Sequence, residues 1–251
     1  MSRPFFCLAL FGVLALPHTA SGQDYVQYET VYLKVLPGHS QQFEDALAEH
    51  NQRFHAQGPY TAIVYSVITG PRSGQMFWLM GPGTFTSLDG RPTGDPHDSD
   101  WSGEVLPHAE AHSIEYWRLN EDLTSPRPES DATVRTLLRS RYFEVADNAL
   151  FVKTQEQIEE VVASMGSTGR FFYRRQFAHR DGRDWVLVTS YENWAELDDT
   201  GGGGANFQET FVDVHGLAAW TLFQDERDEA VVGVEDEWRQ RLPALEGAGN
   251  E

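Results

Sequence analysis

The chain has 251 residues, 40% of them hydrophobic and 12% aromatic, enough to bury one large core or two small ones, which excludes a peptide or a disordered tail. Asp and Glu number 38 against 19 Lys and Arg, a formal net charge of -19, the wrong sign for attraction to phosphate backbones or anionic lipid. Nucleic acid is therefore not an expected partner, and the acidity, which equally suits a surface kept soluble at high salt, does not by itself point to an acidic active site.

Residues 1–22 carry a basic start (Arg3), an apolar run from Phe5 to Leu16 and the small residues Ala20, Ser21 and Gly22 before Gln23. This is the layout of a cleavable secretory signal, and the run is too short to span a bilayer stably. The only cysteine, Cys7, lies inside that run, so the rest of the chain offers no disulfide, thiolate nucleophile or Cys-ligated metal. No later stretch is long and apolar enough for a membrane span. The expectation is an exported protein, periplasmic or extracellular, with no membrane anchor.

Beyond the leader, Thr30–Val35 alternates like a strand, Pro37-Gly38 turns the chain, and Phe43, Leu47, His50 and Phe54 fall at helical spacing. Tyr60–Ile68 and Met76–Met80 read as a hairpin about the turn at Gly70–Gly74. A Gly, Pro and Asp-rich loop (residues 90–100) leads to a short helical stretch ending at His112, and Ser113–Leu119 reads as a fourth strand.

The same order then repeats: a strand at Ser140–Val145, a helix opened by Thr154 with Gln157 as a capping box, strands at Phe171–Phe177 and Asp184–Val188, and a last strand at Leu217–Phe223. Ile158, Val161, Val162 and Met165 trace the helix's apolar face, and Gly166 stops it. Matched residues align the copies: Tyr32 with Tyr142, Tyr65 with Tyr173, Leu88-Asp89 with Leu197-Asp198, and His112 and Trp117 with His215 and Trp220. The expected divisions are a signal peptide (1–22), a first unit (23–124), a linker (125–131), a second unit (132–230) and a C-terminal helix and tail (231–251), the helix pinned by Trp238 and Leu242. Each βαββαβ unit makes an antiparallel sheet with helices on one face, leaving the other face to be covered. The second copy can cover it, sheet against sheet, enclosing a cavity.

This order resembles the dimeric α+β barrel superfamily of ferredoxin-like units, which includes antibiotic-biosynthesis monooxygenase domains and haem-degrading monooxygenases. The residues that carry the resemblance are Val35–Leu47 (VLPGHSQQFEDAL), a strand, Pro-Gly turn and Phe-led helix, and Val186–Leu197 (VLVTSYENWAEL), a strand-to-helix passage. It implies an α+β class, two tandem ferredoxin-like units forming an intramolecular pseudo-dimeric α+β barrel. The superfamily hosts oxygenases, haem enzymes, isomerases and binding proteins, so the fold does not name the reaction.

By the same resemblance, His112 and His215 stand where haem-handling barrels carry an iron-binding His and are the catalytic candidates; as bare imidazoles, each also reads as a helix cap. Haem-degraders of the superfamily also use an Asn on the first strand and a Trp on the third. Trp78 and Trp185 supply the latter, but residues 25–35 and 136–146 hold no Asn, so haem is an open option and no cofactor is required. His108 and His112 with Glu110 between them have metal-ligand spacing, near Asp95, His97, Asp98 and Asp100, yet no further ligands complete a set, and no metal is expected. Strand alternation sends Thr30, Tyr32 and Lys34 toward the cavity and Val31, Leu33 and Val35 toward the helices. The expected substrate-binding set is Tyr32, Lys34, Tyr65, Tyr142 and Tyr173, facing a planar or aromatic small molecule. Two functions fit: a monooxygenase-like enzyme, cofactor-free or haem-assisted, or an exported ligand-binding or structural protein without turnover.

Overall fold

The alternation at the start of the first unit builds a strand, β1 (Gln27–Val35), that turns Val31 and Leu33 to one side and Thr30 and Tyr32 to the other. Gly38 takes the left-handed φ of 82° that the turn needs, and α1 (Ser40–Phe54) lays Phe43 and Leu47 against Val31 and Leu33. Phe43 and Leu47 are wholly buried, each stabilising the packing by roughly 1.5–3 kcal/mol. The computed structural model describes residues 25–126, 135–199 and 203–247, so the proposed leader and most of the linker lie outside the described residues.

After α1 come β2 (Ala62–Val67), β3 (Met76–Gly83), the short helices α2 (Phe85–Leu88) and α3 (His97–Asp100), two irregular helical turns, and β4 (Ala109–Ser125). The second unit runs β5 (Leu137–Val145), α4 (Asn148–Ser164), β6 (Arg170–Arg175), β7 (Trp185–Tyr191), α5 (Glu196–Asp199), α6 (Gly203–His215), α7 (Leu217–Ala230) and β8 (Val231–Arg241). Every strand pair is antiparallel, in the order β4-β1-β3-β2 for one unit and β8-β5-β7-β6 for the other. The units join edge to edge at both sides: β2 pairs β8, with Tyr65 opposite Arg241, and β4 pairs β6, with Trp117 opposite Arg175. The result is a closed eight-stranded barrel with helices outside, an intramolecular pseudo-dimer of ferredoxin-like units.

Several local expectations are corrected. Leu217–Phe223 is part of helix α7, where Trp220 and Phe223 pack on Phe211 beside α4. The last strand of the second unit is β8, in place of the expected C-terminal helix; Trp238 lies against Tyr191 and Trp194, and Leu242 and Leu245 pack on the first unit's core. The second unit therefore extends to residue 241. Its last strand is hard to read because its inward positions, Glu237 and Arg239, are charged, so the apolar alternation of a half-buried strand is missing. His112 lies within β4 and His215 at the end of α6, so the match of His112 and Trp117 with His215 and Trp220 does not hold. Helix α4 opens at Asp147, whose carboxylate accepts from the Ala149 and Leu150 amides at 2.8 and 3.0 Å; Thr154 sits inside, donating to the Phe151 carbonyl.

Candidate functional site inside the barrel

Residues two apart along each strand point inward together, and in the barrel they divide into an ionic layer and an open chamber. The ionic layer has a pseudo-two-fold plan. Tyr32 on β1 and Tyr142 on β5 meet hydroxyl to hydroxyl at 3.2 Å. Glu115 on β4 corresponds to Glu237 on β8, and the residue two further on bonds each carboxylate: Trp117 Nε1 donates to Glu115 at 3.0 Å and Arg239 to Glu237 at 2.7 Å. Arginines from the hairpin loops cross between units, Arg183 reaching Glu115 and Arg72 reaching Glu237, each at 3.2 Å.

The Tyr32 hydroxyl donates to Glu237 at 2.8 Å and accepts from Arg183 at 2.8 Å and Arg239 at 2.7 Å, using its full capacity. The same Arg239 nitrogen, Nη2, also lies against the Tyr142 hydroxyl. The Arg183 guanidinium stacks 3.5 Å over the Tyr142 ring, and that of Arg239 3.6 Å over Phe77. Burial drives the Tyr32 phenol well above its ordinary range despite the two guanidiniums, so it stays neutral. Burial alone would raise Glu237, but Arg239 and Arg183 outweigh it and hold the carboxyl below its usual range.

Adjoining this layer is a cavity of about 320 Å³ with residues from all eight strands in its wall. Its surface is mostly aromatic and aliphatic, including Ile63, Phe77, Leu79, Trp117 and Val186, with the hydroxyls of four tyrosines, Thr30 and Ser190 and the Arg239 guanidinium as polar groups. The hydroxyls of Tyr28, Tyr65 and Tyr173 have no hydrogen-bond partner among the described residues, and neither does Arg239 Nε. Burial pushes Tyr65 up to about 12 and raises Tyr28 and Tyr173 as well, so all three face the chamber as neutral donors. No carboxylate or imidazole is among the described residues lining it.

The sequence-predicted set is thus partly assembled. Tyr65, Tyr142 and Tyr173 line one cavity, and Tyr32 stands in the ionic layer beside Tyr142, wholly buried. Lys34 is exposed near the end of β1, opposite Glu110. His112 is half exposed, 3.5 Å from Glu110, while His215 packs on Phe211 with Nε2 3.3 Å from the Gln157 carbonyl. Neither histidine lines the barrel cavity. His108 and His112 do not converge, because β4 begins between them and His108 bonds His39 instead. Trp78 and Trp185 face the helices, donating to Asn51 and Asn148 at 3.0 Å. Sequence reasoning missed Glu115, Glu237, Arg183, Arg239 and Tyr28; the available signal was the repeated Glu-aromatic pair, Glu115-Tyr116 and Glu237-Trp238, on corresponding strands.

Neither a protein-family model nor a curated protein matches the sequence. Solved structures match by shape. They include an anthrone oxidase-like protein (TM-score 0.54, 11% identity, 92% of this chain and 98% of the other) and a protein assigned as a chlorite dismutase (0.52, 10%, 88% and 96%). A Lactobacillus acidophilus protein assigned as a monooxygenase is similar too (0.51, 14%, 87% and 94%). The chain shares the α+β barrel fold of these structures.

Haem is the group that the resemblance to haem-handling barrels implies, and neither the barrel chamber nor the largest described cleft fits it. Haem iron needs an axial ligand, most often His, Cys, Met or Tyr. The barrel chamber, at about 320 Å³, is small, and among these ligand types its described wall offers only tyrosines, of which burial keeps Tyr28, Tyr65 and Tyr173 protonated and so poor at binding iron. A larger cleft of about 810 Å³ lies between the second unit's helices and sheet, with no His, Cys or Met in its described wall and a single tyrosine, Tyr191, which packs on Trp238 and accepts from Thr189. There Arg139 and Arg141 are held by Asp236, and Arg170 faces Glu159.

Proposed function

We propose that the protein is an exported, monooxygenase-like barrel that holds one planar aromatic molecule, bearing an anionic or strongly accepting oxygen, inside the barrel. One observation carries this reading: three unpartnered phenol hydroxyls and a buried guanidinium share an aromatic-walled cavity. Aromatic walls favour a flat ligand, and neutral O–H donors beside the open Nε–H of Arg239, a guanidinium already paired with Glu237, favour an accepting oxygen over a second cation. The volume of about 320 Å³ suits a single small ligand.

As an enzyme, the chamber would stabilise the anion of a phenol or enol, the electron-rich form that reacts with dioxygen. No carboxylate or imidazole stands in the described wall to take a proton directly, so the chamber suits a substrate already ionised in solution. That feature favours a second reading, binding without turnover. Titrating aromatic acids and phenols against the intrinsic fluorescence of the protein tests the site. Tyr65→Phe and Tyr173→Phe should each weaken the best ligand by about 1 kcal/mol, roughly fivefold. An unchanged affinity in the double variant would remove the chamber as the site. Ligand-dependent oxygen uptake selects the enzyme, and tight binding without uptake selects the receptor. Export is tested by the mass of protein recovered outside its host, which should begin near Gln23; full-length protein confined to the cytoplasm contradicts it.

A further inference from the structure

Outside the barrel, α1 carries His50 near its C-terminal end and His55 stands just past it, while α3 opens with His97. These elements bring three imidazoles into one cluster. His50 and His55 are buried, and 17% of the His97 side chain is exposed. Their ring centroids stand 4.9 to 5.4 Å apart, and one ligating nitrogen of each lies within 4.8 Å of the others.

In all three rings Nδ1 is already committed: His50 to Asp100 at 2.8 Å, His55 to the Tyr60 carbonyl at 3.0 Å, and His97 to Asp98 at 2.8 Å. A carboxylate or carbonyl oxygen accepts, so each Nδ1 carries the hydrogen and each neutral ring presents its Nε2 lone pair. His55 and His97 aim these nitrogens at each other across 3.3 Å. Two lone pairs so placed repel, and a cation between them turns the repulsion into attraction. Two nitrogens bound tetrahedrally to zinc at about 2.0–2.1 Å stand about 3.3 Å from each other.

The surroundings agree. Metal-binding histidines are oriented by an oxygen acceptor on the other ring nitrogen, as all three are here. Those acceptors are themselves held, Asp98 by the Gly94 amide at 2.7 Å and Asp100 by Arg53 at 3.2 Å. The cluster borders a cavity of about 240 Å³ whose wall also includes Trp78, Met80, Trp101 and Arg91. Imidazole nitrogens suit zinc and its transition-metal neighbours, whereas calcium and magnesium take oxygen ligands. We propose that His50, His55 and His97 form a tris-imidazole site for one zinc-class divalent ion, its fourth position facing this cavity and open to water or a small anion.

The test uses tag-free full chain stripped with a chelator, titrated calorimetrically with Zn²⁺ and spectroscopically with Co²⁺. The expected result is one ion per chain, with visible Co²⁺ absorption bands of a four-coordinate site. His97→Gln, at the most exposed ligand, should lower Zn²⁺ affinity at least 100-fold while leaving the melting temperature of the stripped protein unchanged. Asp98→Asn should lower affinity about 10- to 100-fold. Tyr173→Phe, in the barrel chamber, should not change it, which separates this site from the proposed ligand chamber. Absence of saturable one-to-one binding would mean that His55 and His97 share a proton instead, and would overturn the proposal. Zn²⁺ affinity unaltered in His97→Gln would place the ion elsewhere and overturn it equally.

Discussion

Tyr32 shows how much a single hydroxyl can organise in a dry interior. It accepts from Arg183 and Arg239 and donates to Glu237, so Tyr32→Phe deprives two guanidiniums and a carboxylate of a partner at once. We expect a loss of about 1–3 kcal/mol in urea unfolding, without loss of the barrel. Glu115→Ala is expected to cost more, about 3–5 kcal/mol, because it leaves the buried Arg183 and Arg175 facing no carboxylate there. Asp236 provides a residue-level pH signature. Burial alone would raise it, but Arg141 and Arg139 outweigh burial and lower it to about 2. A carboxyl harder to protonate in the folded than in the unfolded chain, where it titrates near 3.9, adds stability above that value and loses it as pH falls toward 2. Glu237 acts in the same direction. Unfolding free energy should therefore fall between about pH 4 and pH 2, and Asp236→Asn should flatten that decline. Superimposable profiles for the two proteins would show that the ion pairs carry no such linkage.

At the scale of elements, the hairpin loops do the cross-unit joining. The β2–β3 loop carries Arg72 to Glu237, and the β6–β7 loop carries Arg183 to Glu115. The two loops are not equal, since the Arg183 side chain is 1% exposed and that of Arg72 21%. Arg183→Ala should cost about 3–5 kcal/mol and Arg72→Ala nearer 1 kcal/mol, because water can replace only the second. Thermal unfolding of the pair checks the order, and equal losses would contradict it. The β2–β3 loop also passes close over β8 at Gly70. With φ at 95°, a Cβ there would lie 2.8 Å from the Asp236 carbonyl oxygen. Gly70→Ala should destabilise by more than about 1 kcal/mol through strain and displacement of the loop that delivers Arg72. Helix α1 and strands β1 to β3 were legible because each has an apolar face with a simple period. Strand β8 was not legible, because its inward face is ionic.

For the whole molecule, closure is the decisive event: β2 and β4, free edges in an isolated first unit, are both paired with the second unit. An unpaired edge invites another chain. The first unit expressed alone should consequently self-associate, pairing β2 with β4 of a second copy, or precipitate, as light scattering on a sizing column would report. A monomeric, cooperatively folding half would show that edge pairing is dispensable.

Local pattern in the chain determined the two-copy plan, the ferredoxin-like order and the inward direction of Tyr32, Tyr65, Tyr142 and Tyr173, because turn chemistry and side-chain alternation are properties of neighbouring residues. Tertiary structure alone decided which charges became interior. Glu115 and Arg183 are 68 residues apart, and Tyr32 and Arg239 are 207 apart, so nothing local distinguishes them from surface charges until the barrel closes and removes water around them. His50, His55 and His97 likewise fall on a helix, its exit and a distant short helix, and only the packing of α3 on α1 turns three separate imidazoles into one cluster.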